Sequence, residues 1–326
     1  MSAIALGAAT ASPRRSAVLR AAAIRHRTAV LTLVGVMAAL SVAMLLHGWY
    51  VHAGLHRLGA DSCDPDTVAC LAKYKQFIHQ YGMPLQTLDG VLYVLGGGFG
   101  AFAGGPLLAR EFEHGTVRFA WTQGAGRSRW TVGAVTVVGG AVVVVAALFG
   151  VVQRWWSEPL VREAGQFNPD IFMQTWPVMA GRVLLTFGLA VLAGAVLRRT
   201  VVAVGVGLAG SVALPFVAQA FRTHYRPPLE EAVHTMTPLS LDGRWVLDVW
   251  YSDPAGNRIG TGEFYDRGGD FAHLQAMVRD GGYTAHQVYQ PADRFWPFQF
   301  IEAGWMLALG IAACAAAVWW VRRRAV

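Results

Sequence analysis

Residues 178–220 read VMAGRVLLTFGLAVLAGAVLRRTVVAVGVGLAGSVALPFVAQA. Two apolar runs, 178–197 and 201–220, are parted only by Arg198, Arg199 and Thr200. Each run is about 20 residues long, which is what a helix needs to cross roughly 30 Å of hydrocarbon. Two consecutive spans joined by a tight basic turn are the simplest reading. Four further runs of the same kind lie near 28–49, 88–109, 131–152 and 299–320, giving six in all. The second is the least regular, because Gly96, Gly97, Gly98, Gly100, Gly104 and Gly105 weaken its helix propensity. Gly96, Gly100 and Gly104 recur every four residues, a spacing that admits a close neighbouring helix but is also common in membrane helices generally.

Composition agrees with the spans. Of 326 residues, 54% are apolar or aromatic and 14% are charged, against roughly 25% charged in soluble domains. Disorder and a soluble two-domain enzyme are both excluded. Only two of the 27 basic residues are lysines, so the pI near 9.7 is an arginine property. With the N-terminus inside, Arg14, Arg15, Arg20, Arg25, Arg27, Arg110, Arg118, Arg127, Arg129, Arg198, Arg199, Arg322, Arg323 and Arg324 face the cytoplasm beside only Glu111 and Glu113. The net charge of +7 thus resolves into about +12 inside and about −5 outside, a positive-inside distribution and not a nucleic-acid footprint. Trp49, Trp155, Trp156, Trp176 and Trp296 fall at the outer boundaries and Trp130, Trp319 and Trp320 at the inner ones, as headgroup-layer rings do.

The expected fold is an all-α polytopic membrane protein with six transmembrane helices, both termini cytoplasmic, and a small α+β extracellular insertion between the fifth and sixth helices. Residues 1–27 form a cytoplasmic N-terminal segment whose stretch 16–27 is either a basic helix on the inner leaflet or a positive flank. Helices one to five occupy 28–220, with an extracellular loop at 50–87 and a cytoplasmic loop at 110–130. The insertion spans 221–297, and the last helix with a basic tail spans 298–326. Within the insertion, Arg244–Tyr251, the turn 252–257 and Arg258–Tyr265 read as a hairpin, Phe271–Arg279 as a helix and Tyr283–Tyr289 as a strand. Cys63 and Cys70, on the oxidising side, are spaced for a local disulfide, while Cys314 reads as packing. His52 and His56 have the spacing of a metal pair but no third ligand, so an interfacial helix face explains them and no metal is assigned.

The inner loop carries the sharpest pattern. It runs Arg110-Glu111-Phe112-Glu113-His114-Gly115-Thr116-Val117-Arg118-Phe119-Ala120-Trp121-Thr122-Gln123, then through Gly124-Ala125-Gly126 to Arg127-Ser128-Arg129-Trp130. Charged and apolar residues alternate, which suits a segment lying along the membrane face and offering a partner both kinds of contact. An ordinary positive-inside loop is the alternative.

This loop resembles that of permease subunits of ATP-binding-cassette transporters of the type-2 exporter class. Their pattern is a Glu followed within a few residues by Gly-Thr, then an Arg-containing turn into the third helix. Glu111, Gly115, Thr116, Arg127 and Arg129 match it. Pro106-Leu107-Leu108-Ala109-Arg110-Glu111 with Trp121-Thr122-Gln123, and Tyr289-Gln290-Pro291 with Arg294-Phe295-Trp296 and Gln299-Phe300-Ile301-Glu302, are similar to a subgroup common in actinobacteria. Gly133 or Ala134 departs from the pattern, standing where many relatives carry Lys. The resemblance implies that the loop holds a coupling helix docking into a cytoplasmic ATPase subunit through Glu111, Glu113, Gly115, Thr116, Arg118, Trp121, Arg127 and Arg129. It also implies a second permease copy, expected as a homodimer in the cell membrane, with lipid around it and no nucleic-acid partner.

No nucleotide site is expected in this chain. A phosphate-binding loop of the form G-x-x-x-x-G-K-[S/T] needs a lysine after glycine, and Lys73 and Lys75 are the only lysines. The chain is therefore expected to be no enzyme and to bind no cofactor, ATP and Mg being used by the partner. Two alternatives remain open at this level, an ion-gradient-driven secondary transporter and a non-transporting sensor or immunity protein. The first needs relay groups at depth, whereas Asp89, Arg182 and Glu302 lie near the outer boundary, where anchoring or pairing explains them. Glu302 is nonetheless a candidate outer gate. The orientation is testable: a fluorescent-protein fusion at either terminus is expected to fluoresce, and alkaline phosphatase inserted after Ala255 to be active. The opposite pattern would reverse the topology.

Overall fold

The computed structural model describes residues 15–63, 67–115, 126–233, 243–268 and 271–324. Six helices are long and apolar enough to cross a membrane, one at each run read from the sequence. In chain order the helices are α1 (Arg15–Arg25), α2 (Arg27–Arg57), α3 (Val68–Phe77), α4 (Met83–Glu113), α5 (Arg127–Trp156), α6 (Glu158–Ala164), α7 (Pro169–Gln174), α8 (Trp176–Leu197) and α9 (Thr200–Arg222). After the sheet region comes α12 (Phe295–Arg324), preceded by α10 (Thr261–Gly268) and α11 (Phe271–Arg279).

Residues 50–87, expected as a loop, are mostly helical. Residues 50–57 extend α2, and a π-helical turn at Ile78–Gly82 joins α3 to α4 so that one helical run reaches Glu113. The physical reason is that no proline or glycine pair interrupts 68–83, and Thr67 caps α3 by accepting from the Cys70 N–H at 3.3 Å. Cys63 Sγ is bonded to Cys70 Sγ, with the Cα atoms 5.4 Å apart, which closes the turn between α2 and α3.

α8 is the hub. Its most apolar window is 67% buried, against 11% for α2, and it packs against α4, α5, α9 and α12. Lipid tails are as apolar as leucine, so such packing depends on close approach and not on hydrophobicity. The glycines of α4 provide it: a Cβ on Gly100 would overlap the Val183 carbonyl and the Thr186 hydroxyl, and one on Gly104 would stand 2.5 Å from the Phe187 carbonyl. On the other side, a Cβ on Gly188 would stand 2.6 Å from the Gly310 carbonyl of α12. The four-residue glycine spacing thus serves contact with α8 of the same chain. Pro106 and Pro215 lie inside α4 and α9, each removing one ladder hydrogen bond.

The 198–200 turn is built by Arg198, the one non-glycine described residue at positive φ, 57°. Its N–H closes α8 on the Gly194 carbonyl, and Arg199 is extended before α9 begins. A left-handed C-terminal residue is the usual helix stop.

The insertion at the opposite end from 110–130 is a four-stranded antiparallel sheet of order β1 (Leu229–Val233), β4 (Thr284–Gln290), β2 (Trp245–Ser252), β3 (Arg258–Gly260). β2, α11 and β4 match the expected elements. The return strand is corrected: β3 has three residues, and 261–268 turn helical, which brings Phe264 over Tyr251 with ring centroids 3.7 Å apart. The hairpin turn is held by Asp253, whose Oδ1 accepts from the N–H groups of Ala255 and Asn257 at 3.0 and 2.8 Å. β1 has no strand signature of its own, since Leu229-Glu230-Glu231-Ala232-Val233 lacks strict alternation, and pairing with β4 makes it a strand. The domain stands on the bundle through Phe167, which stacks on Trp245 at 5.5 Å, and through Gln166 Nε2, which donates to the Gly243 and Ala292 carbonyls at 3.3 and 3.0 Å.

Gly100→Val is expected to cost at least about 1–3 kcal/mol, the range for overpacking, and to lower the melting temperature in detergent. Gly140→Ala, on a face with nothing within 4 Å of the added Cβ, is expected to be neutral. Equal melting of the two would refute the backbone-contact account.

Candidate functional site

Two polar constellations stand out, one at each end of the bundle. At the 110–130 end, Arg25 Nη2 donates to Glu111 Oε1 at 2.8 Å, tying α1 to α4. The same guanidinium lies 5.6 Å from the centre of the Trp130 ring on α5. Glu113 reaches across to the start of α9, where Oε1 accepts from the Thr200 N–H at 2.8 Å and Oε2 from its hydroxyl at 2.6 Å. A carboxylate there satisfies an orphan N–H and faces the positive end of the helix dipole. Arg198 sits 5.5 Å from the Phe112 ring. Both ends of the 110–130 segment are therefore braced by other helices, and Glu111 is paired with Arg25 of α1.

Gly115 adopts φ 66° just past α4, a conformation that favours glycine. The carbonyl of Gly126 starts α5 by accepting from the N–H groups of Arg129 and Trp130. Arg129 is exposed and Arg127 opens α5. Thr116, Arg118 and Trp121 lie outside the described residues. α1, read as a surface helix or a flank, packs on α5: Ala22 is buried, and a Cβ on Gly133 would stand 3.1 Å from Val18 Cγ1.

At the opposite end lies a buried polar belt. Arg222 donates from Nε and Nη2 to Glu302 Oε2 and Oε1 at 3.0 and 2.9 Å, and both side chains are 0% exposed. The guanidinium also stacks on Phe172 at 3.7 Å and donates to Gln219 at 3.0 Å. Tyr225 donates to Glu302 Oε2 at 3.3 Å and accepts from Trp305 Nε1 at 2.8 Å. Burial, and then the Glu302 carboxylate, push the Tyr225 phenol up to about 12, so it stays a donor at neutral pH. Asp89 accepts from Gln153 at 2.6 Å and Gln174 at 3.1 Å, joining α4, α5 and α7. Arg182 donates to the Tyr93 carbonyl at 2.8 Å and lies 4.8 Å from the Tyr93 ring.

Of anchoring and pairing, pairing describes Glu302, which meets Arg222, and Asp89, Arg182 and Glu302 are all within 4% of full burial. Sequence position placed them near a boundary, whereas packing turned them inward, because α7 and the 165–175 segment cover that end of the bundle. Trp156 is likewise buried, donating to His47 Nδ1 at 3.1 Å, instead of facing headgroups. Arg222 carries no distinguishing signal in the sequence, because a terminal arginine looks like a flank until its helix meets α12. The two histidines point to different partners, His52 to the Trp155 carbonyl at 3.2 Å and His56 to Asp61 at 2.5 Å. Among the described residues no three His, Cys, Asp or Glu gather as metal ligands.

Removing one member of the Arg222–Glu302 pair strands a buried charge, for which about 3–5 kcal/mol is the expected cost. Arg222→Met and Glu302→Leu singly are expected to lower the melting temperature sharply, and the double variant to recover most of it. Additive losses would show that the two do not act as a pair.

The family model described as ABC-2 membrane transporter related matches residues 34–222, from α2 to the end of α9. No curated protein and no solved structure gives a significant match. With six helices of membrane-crossing length and over half of its residues matched, the chain is a multi-pass membrane protein and belongs to the ABC-2 membrane transporter related family.

Proposed function

We propose that the chain is the membrane-spanning permease half of an ATP-driven exporter in the cell membrane, working with a second copy of itself and with separate cytoplasmic ATPase subunits that use ATP and Mg. Family membership supports the class. The observation that carries the coupling is the bracing of the 110–130 segment: Glu111 is fastened to α1 and Glu113 to the start of α9. A push on this segment reaches α1, α4, α5 and α9 together, which is what alternating access between two halves requires. Its docking residues are Glu111, Glu113, Gly115, Thr116, Arg118, Trp121, Arg127 and Arg129. The arginine distribution supports cytoplasmic termini and an extracellular sheet domain. The outer gate belongs to the Arg222–Glu302 pair and not to Glu302 alone, since opening there must separate or carry both. The two motif stretches support the actinobacterial subgroup.

The burial of Asp89 and Arg182 favours a second reading, a secondary transporter with charged groups inside the bundle. Proton-dependent uptake into vesicles without ATP, lost in Asp89→Asn, would select it.

For the exporter, Glu111→Ala and Arg118→Glu are expected to abolish ATP-dependent transport while insertion remains normal, and the wild type to co-purify with an ATPase subunit in mild detergent. Arg25→Ala separates the roles of Glu111. Loss of transport with ATPase binding retained marks the brace, and loss of binding in Glu111→Ala alone marks the dock. Full export by a Glu111→Ala/Arg118→Glu double variant would overturn the assignment.

A further inference from the structure

A groove of about 900 Å³ opens between α1, α2 and α4 at the end that carries the 110–130 segment. Its deeper wall is apolar, formed by Leu33, Val36, Phe99, Phe102 and Leu107, and its mouth carries Arg25, His26, Arg110, Glu111 and His114. Val36 and Phe102 are 48% and 58% exposed, so the wall presents apolar surface that the chain itself leaves uncovered. The polarity gradient runs from charged mouth to greasy depth, as an acyl-chain amphiphile does.

The mouth narrows the headgroup. Arg25 spends one hydrogen bond on Glu111, whereas no ion pair engages Arg110 among the described residues. The pair Arg25–Glu111 is neutral, which leaves one positive charge to match. Two buried atoms there lack partners, Glu111 Oε2 and His26 Nε2. Buried polar atoms are nearly always hydrogen-bonded, so both keep hydrogen-bonding capacity for a group that displaces what now covers them at the mouth. Glu111 Oε2 needs a donor. Burial and the adjacent Arg25 hold the His26 imidazole below its ordinary value, so it is neutral and Nε2 either donates or accepts according to its tautomer. A hydroxyl-bearing head suits either atom, because a hydroxyl both donates and accepts.

We propose that this groove binds a phospholipid with a monoanionic phosphodiester and a hydroxyl-bearing head, of the phosphatidylglycerol kind, with its phosphate on Arg110, its head hydroxyls on Glu111 and His26, and an acyl chain along Phe99, Phe102 and Leu107. Phosphatidylcholine has the same phosphate but no hydrogen-bond donor on its head, so it leaves Glu111 Oε2 unpaired and adds a second positive charge. The placement in the cytoplasmic leaflet rests on the topology proposed above; the binding itself does not. A bound lipid would stiffen the Arg25–Glu111 brace, making the coupling segment responsive to leaflet composition.

The test is native mass spectrometry of the full chain, without any ATPase, titrated with dioctanoyl phosphatidylglycerol or dioctanoyl phosphatidylcholine. A preference of about ten-fold or more for phosphatidylglycerol at one site is expected, equivalent to about 1.4 kcal/mol. Arg110→Glu, which removes the phosphate partner, and Val36→Trp, which fills the apolar wall, are each expected to erase that preference without changing the lipid-free melting temperature. Equal binding of the two lipids, or an unaltered preference in either folded variant, would overturn the proposal. Competition by chain-free glycerophosphoglycerol as strong as by the intact lipid would overturn it too, since the acyl wall would then contribute nothing. Because no ATPase is present, failure of the exporter reading leaves this result standing.

Discussion

Helices in a bilayer gain little from hiding apolar side chains from one another, since the lipid they leave is equally apolar. What holds this bundle is contact between backbones. Gly100 and Gly104 of α4 lie against the Val183 and Phe187 carbonyls, and Gly188 of α8 against Gly310 of α12. Dispersion between closely packed atoms is small per pair but summed over three long helices. α8 can be surrounded on four sides because its partners present so little side chain to it. α2 has no such contact over most of its length, and its apolar residues remain turned outward.

Inside that frame the charges at one end are arranged to be affordable. Arg222 and Glu302 meet in a bidentate pair with Tyr225, Gln219 and the Phe172 ring completing their surroundings. A planar guanidinium suits such a site because it forks onto a carboxylate and stacks on an aromatic face at once. Asp89 instead receives amide donors from Gln153 and Gln174. These contacts join helices distant in sequence, so they fix how that end of the bundle closes under the small sheet domain.

The other end is held more lightly. Among the described residues, the Arg25–Glu111 ion pair, the Glu113 cap on Thr200 and the ring contacts of Arg25 with Trp130 and Arg198 with Phe112 connect the 110–130 segment to helices on either side of it. Single contacts at solvent-accessible ends can be exchanged for contacts with a partner at modest cost, whereas the buried belt cannot. Under the proposed coupling, the signal would enter at the lighter end and the heavier end would stay closed until it arrived.

Six spans, their approximate limits and the mixed helix-and-strand character of 221–297 followed from the sequence. Each depends on local composition and period: twenty apolar residues for a span, alternation for a strand. The helical course of 50–87, the turn of 261–268 into a helix and the inward orientation of Asp89, Arg182 and Glu302 were decided only in three dimensions. Linear order places a charge near a boundary, but whether it faces headgroups or a neighbour depends on what covers it. Here α7 and the 165–175 segment do the covering. Likewise the sequence singled out Glu111, while its partner Arg25, 86 residues away, was chosen by the packing of α1 on α5. Short-range chemistry is written in the order of residues; pairing across the bundle is settled by which helix backbones can touch.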